Sequence, residues 1–208
     1  MPTTITRHSV FVIDDNPSDR HIIRELAESV HLSVKESSTV PEFLNAGLPD
    51  WPSCIVTDVR LPVMSGLELL ETLSQRNHRI PTILISRHAD VDRVVQAMKL
   101  HAEDFILKPV PEQKLLDVIN RALRKAGKLC QEHEQRMAAQ RKLAPLTDRE
   151  RNVFDLLVTG KPLKAIAAEL GITNKTLAIH RTHIQQKLGI NNVVDMLHLI
   201  AQIAERKI

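Results

Sequence analysis

The chain is poor in the residues that would set it apart from an ordinary globular protein. It has two cysteines in 208 residues, Cys54 in an apolar run and Cys130 in a polar one. That is neither a disulfide framework nor a metal-binding spacing, so both are expected as reduced thiols. Tyrosine is absent and aromatics make up 2% of the chain, which argues against a stacking platform for single-stranded nucleic acid. No apolar run reaches the roughly eighteen residues that a membrane-spanning helix needs. The start, MPTTITRHSV, lacks the charge, apolar core and small residues of a cleaved signal. A cytoplasmic protein without membrane contact is expected. Internal repeats and low-complexity segments are missing too. The ten histidines are scattered, and the close pair His180 and His183 has no neighbouring carboxylate or cysteine to complete a metal site.

What is present divides in two. Residues 1–124 hold 14 Lys+Arg against 17 Asp+Glu, net −3, whereas residues 125–208 hold 14 against 8, net +6. A basic C-terminal part suits a polyanionic partner such as nucleic acid, and charge alone suits a merely soluble surface equally well.

In the first part, short runs rich in β-branched residues recur at SVFVI (9–13), LSVKES (32–37), SCIVT (53–57), PTILIS (81–86) and DFIL (104–107). Between them lie stretches with helical spacing. Ile22, Ile23, Leu26 and Ala27 mark one; Leu67, Leu69, Leu70 and Leu73 another; Val91, Val94, Val95, Met98 and Leu100 a third. Strands alternating with helices predict a parallel five-stranded sheet wound on both faces by helices, an α/β fold. In such sheets ligands bind beyond the carboxyl ends of the strands. Asp14 and Asp15 end the first strand, Asp58 the third, Ser86 the fourth and Lys108 the fifth, so these five polar groups should meet at one edge.

A helical pattern then runs from about Pro111 to Gln140 and turns strongly polar at KLCQEHEQRMAAQRK (128–142). It predicts a helical linker over 125–145 between a first domain, 1–124, and a second, 146–208. Thr147 followed by Glu150 has capping-box spacing. Four helices follow, at about 148–159, 162–170, 174–188 and 193–206, punctuated by Gly160, Gly171 and Gly189. The second and third, joined through Gly171, have helix-turn-helix spacing.

Clustered carboxylates with room for water suit a magnesium ion. With a lysine, a hydroxyl and a nucleophilic aspartate, the expected edge has the parts needed to accept a phosphoryl group. Taken singly, each aspartate also fits an ordinary turn residue.

These residues carry a resemblance. Residues 9–124 resemble a flavodoxin-like response-regulator receiver domain, through Asp14–Asp15, Asp58 followed by Pro62 and Gly66, Ser86, Phe105 and Lys108–Pro109. The stretch SRHADVDRVVQAMKLHAEDFILKP resembles the FixJ-like branch. Residues 146–208 resemble the LuxR-type four-helix DNA-binding domain, through LTDRE, the K-x-I-A-x-x-L-G-I run and KT-x-x-x-H-R.

The resemblance implies a two-component response regulator that is phosphorylated on Asp58 by a sensor histidine kinase and acts on promoter DNA. It implies Mg2+ held by Asp14, Asp15, Asp58 and the Arg60 backbone carbonyl. Ser86 and Lys108 would support the phosphoryl group, with Ser86 and Phe105 as the switch pair. On the recognition helix it implies Lys175, Thr176, Ala178, Ile179, Arg181, Thr182 and Lys187 as DNA-binding positions. Of these, Lys175, Arg181 and Lys187 are candidates for phosphate contacts. Ala178, Ile179 and Thr182 would face bases, although Ile179 suits core packing as well and His180 reads as structural. Duplex DNA bound by a homodimer is expected, with RNA polymerase as a further partner and no enzymatic activity. Candidate dimer surfaces are the long linker helix and the last helix around Val194, Leu197 and Leu199; those leucines equally suit packing within the chain.

The chain departs from the family pattern at Arg87, where alanine or glycine usually follows the switch hydroxyl. An arginine there could shield an acyl phosphate, pair with it or hinder the donor. Leu61 stands where methionine is frequent, a swap of similar volume. Ala178 and Thr182 replace frequent lysines, which favours contacts with thymine methyls over hydrogen bonds to guanine. The alternative to a phospho-switch is a DNA-binding regulator whose receiver serves as a phosphorylation-independent dimerisation module. A phosphatase using the same pocket is a weaker third reading, since no separate general base or substrate cleft is visible.

Overall fold

A computed structural model of the chain describes residues 8–48, 52–88, 90–190 and 193–203. It divides into two compact units, Met1–Cys130 and Gln131–Ile208.

The first unit is a parallel sheet of β1 (Ser9–Ile13), β2 (Ser33–Ser37), β3 (Ser53–Asp58), β4 (Thr82–Ser86) and β5 (Asp104–Leu107), in the order β2-β1-β3-β4-β5. The central strands β3 and β4 are buried at every position, which is why they read as continuous apolar runs. Around them lie α1 (Pro17–Ser29), α2 (Val40–Asn45), α3 (Gly66–Gln75), α4 (Val91–Lys99) and the long α5 (Glu112–Leu143). Alternation along each strand sorts the core into two layers. Val10, Val12, Val56, Ile83, Ile85 and Ile106 pack with Ile23 and Ala27 of α1 and with Leu115 and Ile119 of α5. Phe11, Ile13 and Ile55 pack on the other face with Val40 and Phe43 of α2 and with Leu69 and Leu73 of α3. Each Val, Leu, Ile or Phe side chain among them contributes about 1.5–3 kcal/mol when fully buried.

Two elements differ from the sequence pattern. The helix α2 has only six residues, too few for helical periodicity to emerge, and it is fixed by the Thr39 cap and by burial of Val40 and Phe43. In α4 the apolar spacing does not mark a buried face: only Ala97 is buried, while Val91, Val95 and Met98 are exposed.

The second unit packs α6 (Asp148–Leu157), α7 (Leu163–Glu169), α8 (Asn174–Leu188) and α9 (Val193–Ile203) around Val153, Phe154, Leu157, Ile166, Leu177, Ile184 and Met196. Ala139 and Leu143, at the end of α5, belong to the same core. The capping box forms: Glu150 N donates to Thr147 Oγ1 at 3.3 Å, and Thr147 N donates to Glu150 Oε2 at 2.8 Å. Gly189 ends α8 in the left-handed conformation, φ 64°, which glycine adopts without steric cost. Leu199 is 5% exposed and lies in this core, so it is removed from the candidate dimer surface. Val194 and Leu197, facing away from the core residues, remain exposed.

Candidate functional site

The strand order reverses between β1 and β3, and the polar groups meet at that edge. Asp14 follows β1, Asp58 ends β3, Ser86 ends β4, and Lys108 follows β5. Lys108 Nζ organises them, at 2.7 Å from Asp14 Oδ2 and 2.6 Å from Asp58 Oδ2. The remaining carboxylate oxygens accept from the backbone: Arg60 N donates to Asp58 Oδ1 at 2.7 Å and Asn16 N to Asp14 Oδ1 at 2.9 Å. Lys108 is followed by a cis peptide bond to Pro109.

A third carboxylate, which the sequence reading missed, completes the cluster. Asp19 Oδ2 accepts from Lys108 Nζ at 2.8 Å and from Arg87 Nη2 at 3.1 Å. Asp19 sits in the first turn of α1, which the Asn16 cap and Pro17 start directly beyond β1. That start signal, in Asn-Pro-x-Asp, could have pointed to it. Asp15 is exposed and is not among the Lys108 contacts.

Burial and ion pairing oppose each other here. Burial raises the Asp14 pKa against the lowering effect of Lys108. At Asp19 burial is outweighed by hydrogen bonds from Lys108 and Arg87, and its pKa is lowered. Burial would lower the Lys108 pKa, but Asp14, Asp19 and Asp58 together raise it. The lysine therefore stays charged, 10% exposed among three carboxylates.

Close packing shapes the pocket. Gly66 N donates to the Val59 carbonyl, and a Cβ at Gly66 would lie 2.5 Å from the Asp58 carbonyl oxygen. Only glycine lets α3 start so near the end of β3. The Ser86 hydroxyl donates to the His88 carbonyl at 3.1 Å. Phe105 is half-buried against Val59, Leu67, Leu70, Leu84 and Ala97.

The donor chemistry fits a hard cation such as magnesium: Asp14 and Asp58 both turn an oxygen towards one positive charge. Among the described residues, no three His, Cys, Asp or Glu side chains are arranged as a ready metal site.

In the second unit α8 follows α7 across a turn in which Gly171 has φ 65°. Thr173 Oγ1 accepts from Thr176 N at 3.1 Å. Leu177 and Ile184 face the core, and Lys175, Ala178, Ile179 and Thr182 are exposed. Ile179 is 49% exposed, so the core-packing alternative does not hold for it. His180 and Arg181 are half-buried. Thr182 donates its hydroxyl to the Ala178 carbonyl at 3.1 Å. Lys187 differs from the other basic candidates: its Nζ donates to the buried Glu150 Oε2 at 2.6 Å, tying α8 to α6.

Comparison with known proteins bears on both units. Residues 10–120 match the family model of the response regulator receiver domain, and residues 144–200 match that of bacterial regulatory proteins of the luxR family. The transcriptional regulatory protein TdiR of Thauera aromatica is 36% identical over 92% of this chain and 85% of its own length. The transcriptional regulatory protein FixJ of Azorhizobium caulinodans is 34% identical over 96% of this chain and 93% of its own. Among solved structures, the response regulator StyR superposes with a TM-score of 0.78 at 36% identity, covering 94% of this chain and 99% of that one.

A parallel sheet with an acidic carboxyl edge, in one chain with a helix-turn-helix unit, defines the response regulators that act on DNA. The chain belongs to this family, in its FixJ-like branch with a LuxR-type DNA-binding domain, and is a two-component transcriptional regulator.

Proposed function

We propose that Asp58 is the phospho-acceptor and that its phosphorylation by a sensor histidine kinase controls how the α8 helix engages promoter DNA. The observation that carries this reading is the contact of Asp58 with Lys108, which also holds Asp14. An Asp58 carboxylate oxygen attacks the phosphorus of a phosphohistidine; the P–O bond forms as the P–N bond breaks, and the nitrogen keeps the electron pair. Lys108 then follows the charge onto the phosphoryl oxygens, the Ser86 hydroxyl turns from the His88 carbonyl towards them, and Phe105 moves into the space so opened. Asp14, Asp15, Asp58 and the Arg60 carbonyl would hold Mg2+, which supplies charge neutralisation for the incoming phosphoryl oxygens.

In this reading residues 1–124 are the receiver, 125–145 a helical linker and 146–208 the DNA-binding domain. The protein is cytoplasmic and not an enzyme in its own right, and it meets RNA polymerase at its promoters. The active form is a homodimer; the exposed Val91, Val95 and Met98 of α4 with Leu107 of β5 supply an apolar patch suited to pairing receivers.

The test is phosphate incorporation from acetyl phosphate with magnesium. Incorporation into the native protein that disappears in Asp58→Asn is expected. Equal incorporation into Asp58→Asn would show that another residue is the acceptor.

A further inference from the structure

Arg87 and Asp19 form an ion pair at the rim of the Asp58 pocket, between residues 68 apart in the chain. Arg87 directly follows Ser86, and its side chain is 59% exposed. Three consecutive contacts, of 3.1, 2.8 and 2.6 Å, link its guanidinium to Asp58 through Asp19 and Lys108. The guanidinium thus lies one carboxylate and one ammonium away from the acceptor oxygen.

We propose that Arg87 is a two-position phosphoryl ligand, held on Asp19 before phosphorylation and transferred to the phosphoryl oxygens of Asp58 afterwards. The inference rests on Asp58 being the acceptor. Four features favour the exchange. The pocket places Asp14, Asp19 and Asp58 around a single lysine, so even with Mg2+ bound the further negative charge of an acyl phosphate leaves the cluster negative and attracts a nearby guanidinium. A phosphoryl group offers a guanidinium two oxygens in fork geometry, a stronger match than one carboxylate oxygen. Asp19 is not stranded when Arg87 leaves, because its side chain is 23% exposed and water can take the place of the guanidinium. Little packing is lost, since the arginine is largely solvated in the held position.

The consequence concerns the lifetime of the acyl phosphate. In hydrolysis a water oxygen attacks phosphorus, the bond to the Asp58 oxygen breaks with its electron pair returning to the carboxylate, and inorganic phosphate leaves with the water's oxygen. A guanidinium on the phosphoryl oxygens covers part of that approach and steadies the phosphorylated state. Asp19 competes for Arg87 and so shortens the lifetime.

The experiment follows decay of phosphoprotein after labelling the full-length chain with acetyl phosphate and magnesium and removing the donor. Arg87→Ala is expected to decay about fivefold faster, the effect of one charge-assisted hydrogen bond discounted for exposure. Asp19→Asn is expected to decay more slowly than the native protein, and Arg87→Lys at a rate between native and Arg87→Ala. In the double variant Asp19→Asn should have no further effect, because its influence runs through Arg87. Thermal midpoints near that of the native protein in all variants would show that folding is intact. Native-like decay in Arg87→Ala, or an equal effect of Asp19→Asn with and without Arg87, overturns the proposal. An Asp58→Asn control separates the two levels: loss of labelling there with unchanged decay in Arg87→Ala removes this inference alone, whereas labelling that persists in Asp58→Asn removes the acceptor assignment as well.

Discussion

Val63 has a left-handed backbone, φ 71°, in the loop after Asp58, and its side chain is 89% exposed. A β-branched residue is strained there, and nothing is packed by its side chain in return. Val63→Gly is therefore expected to stabilise the receiver by about 1 kcal/mol, read as a higher urea midpoint with unchanged slope. Glu150 gives a pH signature. Its ion pair with Lys187 and the hydrogen bond from Thr147 N hold its pKa at about 2, below the ordinary 4.5. A depressed carboxyl pKa stabilises the fold above the unfolded value, and that contribution is lost as pH falls towards the folded one. The helix-turn-helix unit should lose stability, with a falling melting temperature, between pH 4.5 and 2, and Glu150→Gln should flatten that slope. Asp14, Asp58, Ser86 and Lys108 were legible in the sequence because strand ends in a parallel sheet share an edge. Asp19 was not, because its place depends on how the first turn of α1 docks against that edge.

Among the elements, the proposed recognition helix α8 would divide its labour. Lys175 and Ile179 are both exposed on it, yet their substitution should separate. Lys175→Ala is expected to weaken binding to all duplexes alike and reduce the salt slope by about one. Ile179→Ala should cost about 1–3 kcal/mol on the preferred site and far less on unrelated DNA. Titrations at several salt concentrations on both duplexes check this, and matching losses on both from Ile179→Ala would contradict the proposal that Ile179 reads bases. Lys187→Ala belongs to a different category: it leaves buried Glu150 without its cation, so lost stability should precede any lost affinity. The sequence reading saw α3, α5 and α8 because long helices with repeated leucines or clear caps show their period. Short α2 escaped it, and α4 carries the spacing of a core helix on an exposed face. Periodicity marks an apolar stripe without saying what covers it.

At the scale of the molecule, the chain sets an acidic receiver, net −3 over residues 1–124, before a basic part, net +6 over 125–208. That split, with five strand runs and four C-terminal helices, made both fold classes legible. Regulation was not legible, because it resides in the free-energy difference between two states rather than in the pattern of one. Coupling between a phosphorylation site and a distant binding surface amounts to about 1–3 kcal/mol, or roughly 5- to 150-fold in affinity. The most direct measurement is promoter-fragment binding by the full-length protein with and without beryllofluoride and magnesium, which together mimic an acyl phosphate. At least about fivefold tighter binding, absent in Asp58→Asn, is the expected result. Unchanged affinity with beryllofluoride demonstrably bound at Asp58 would contradict the account.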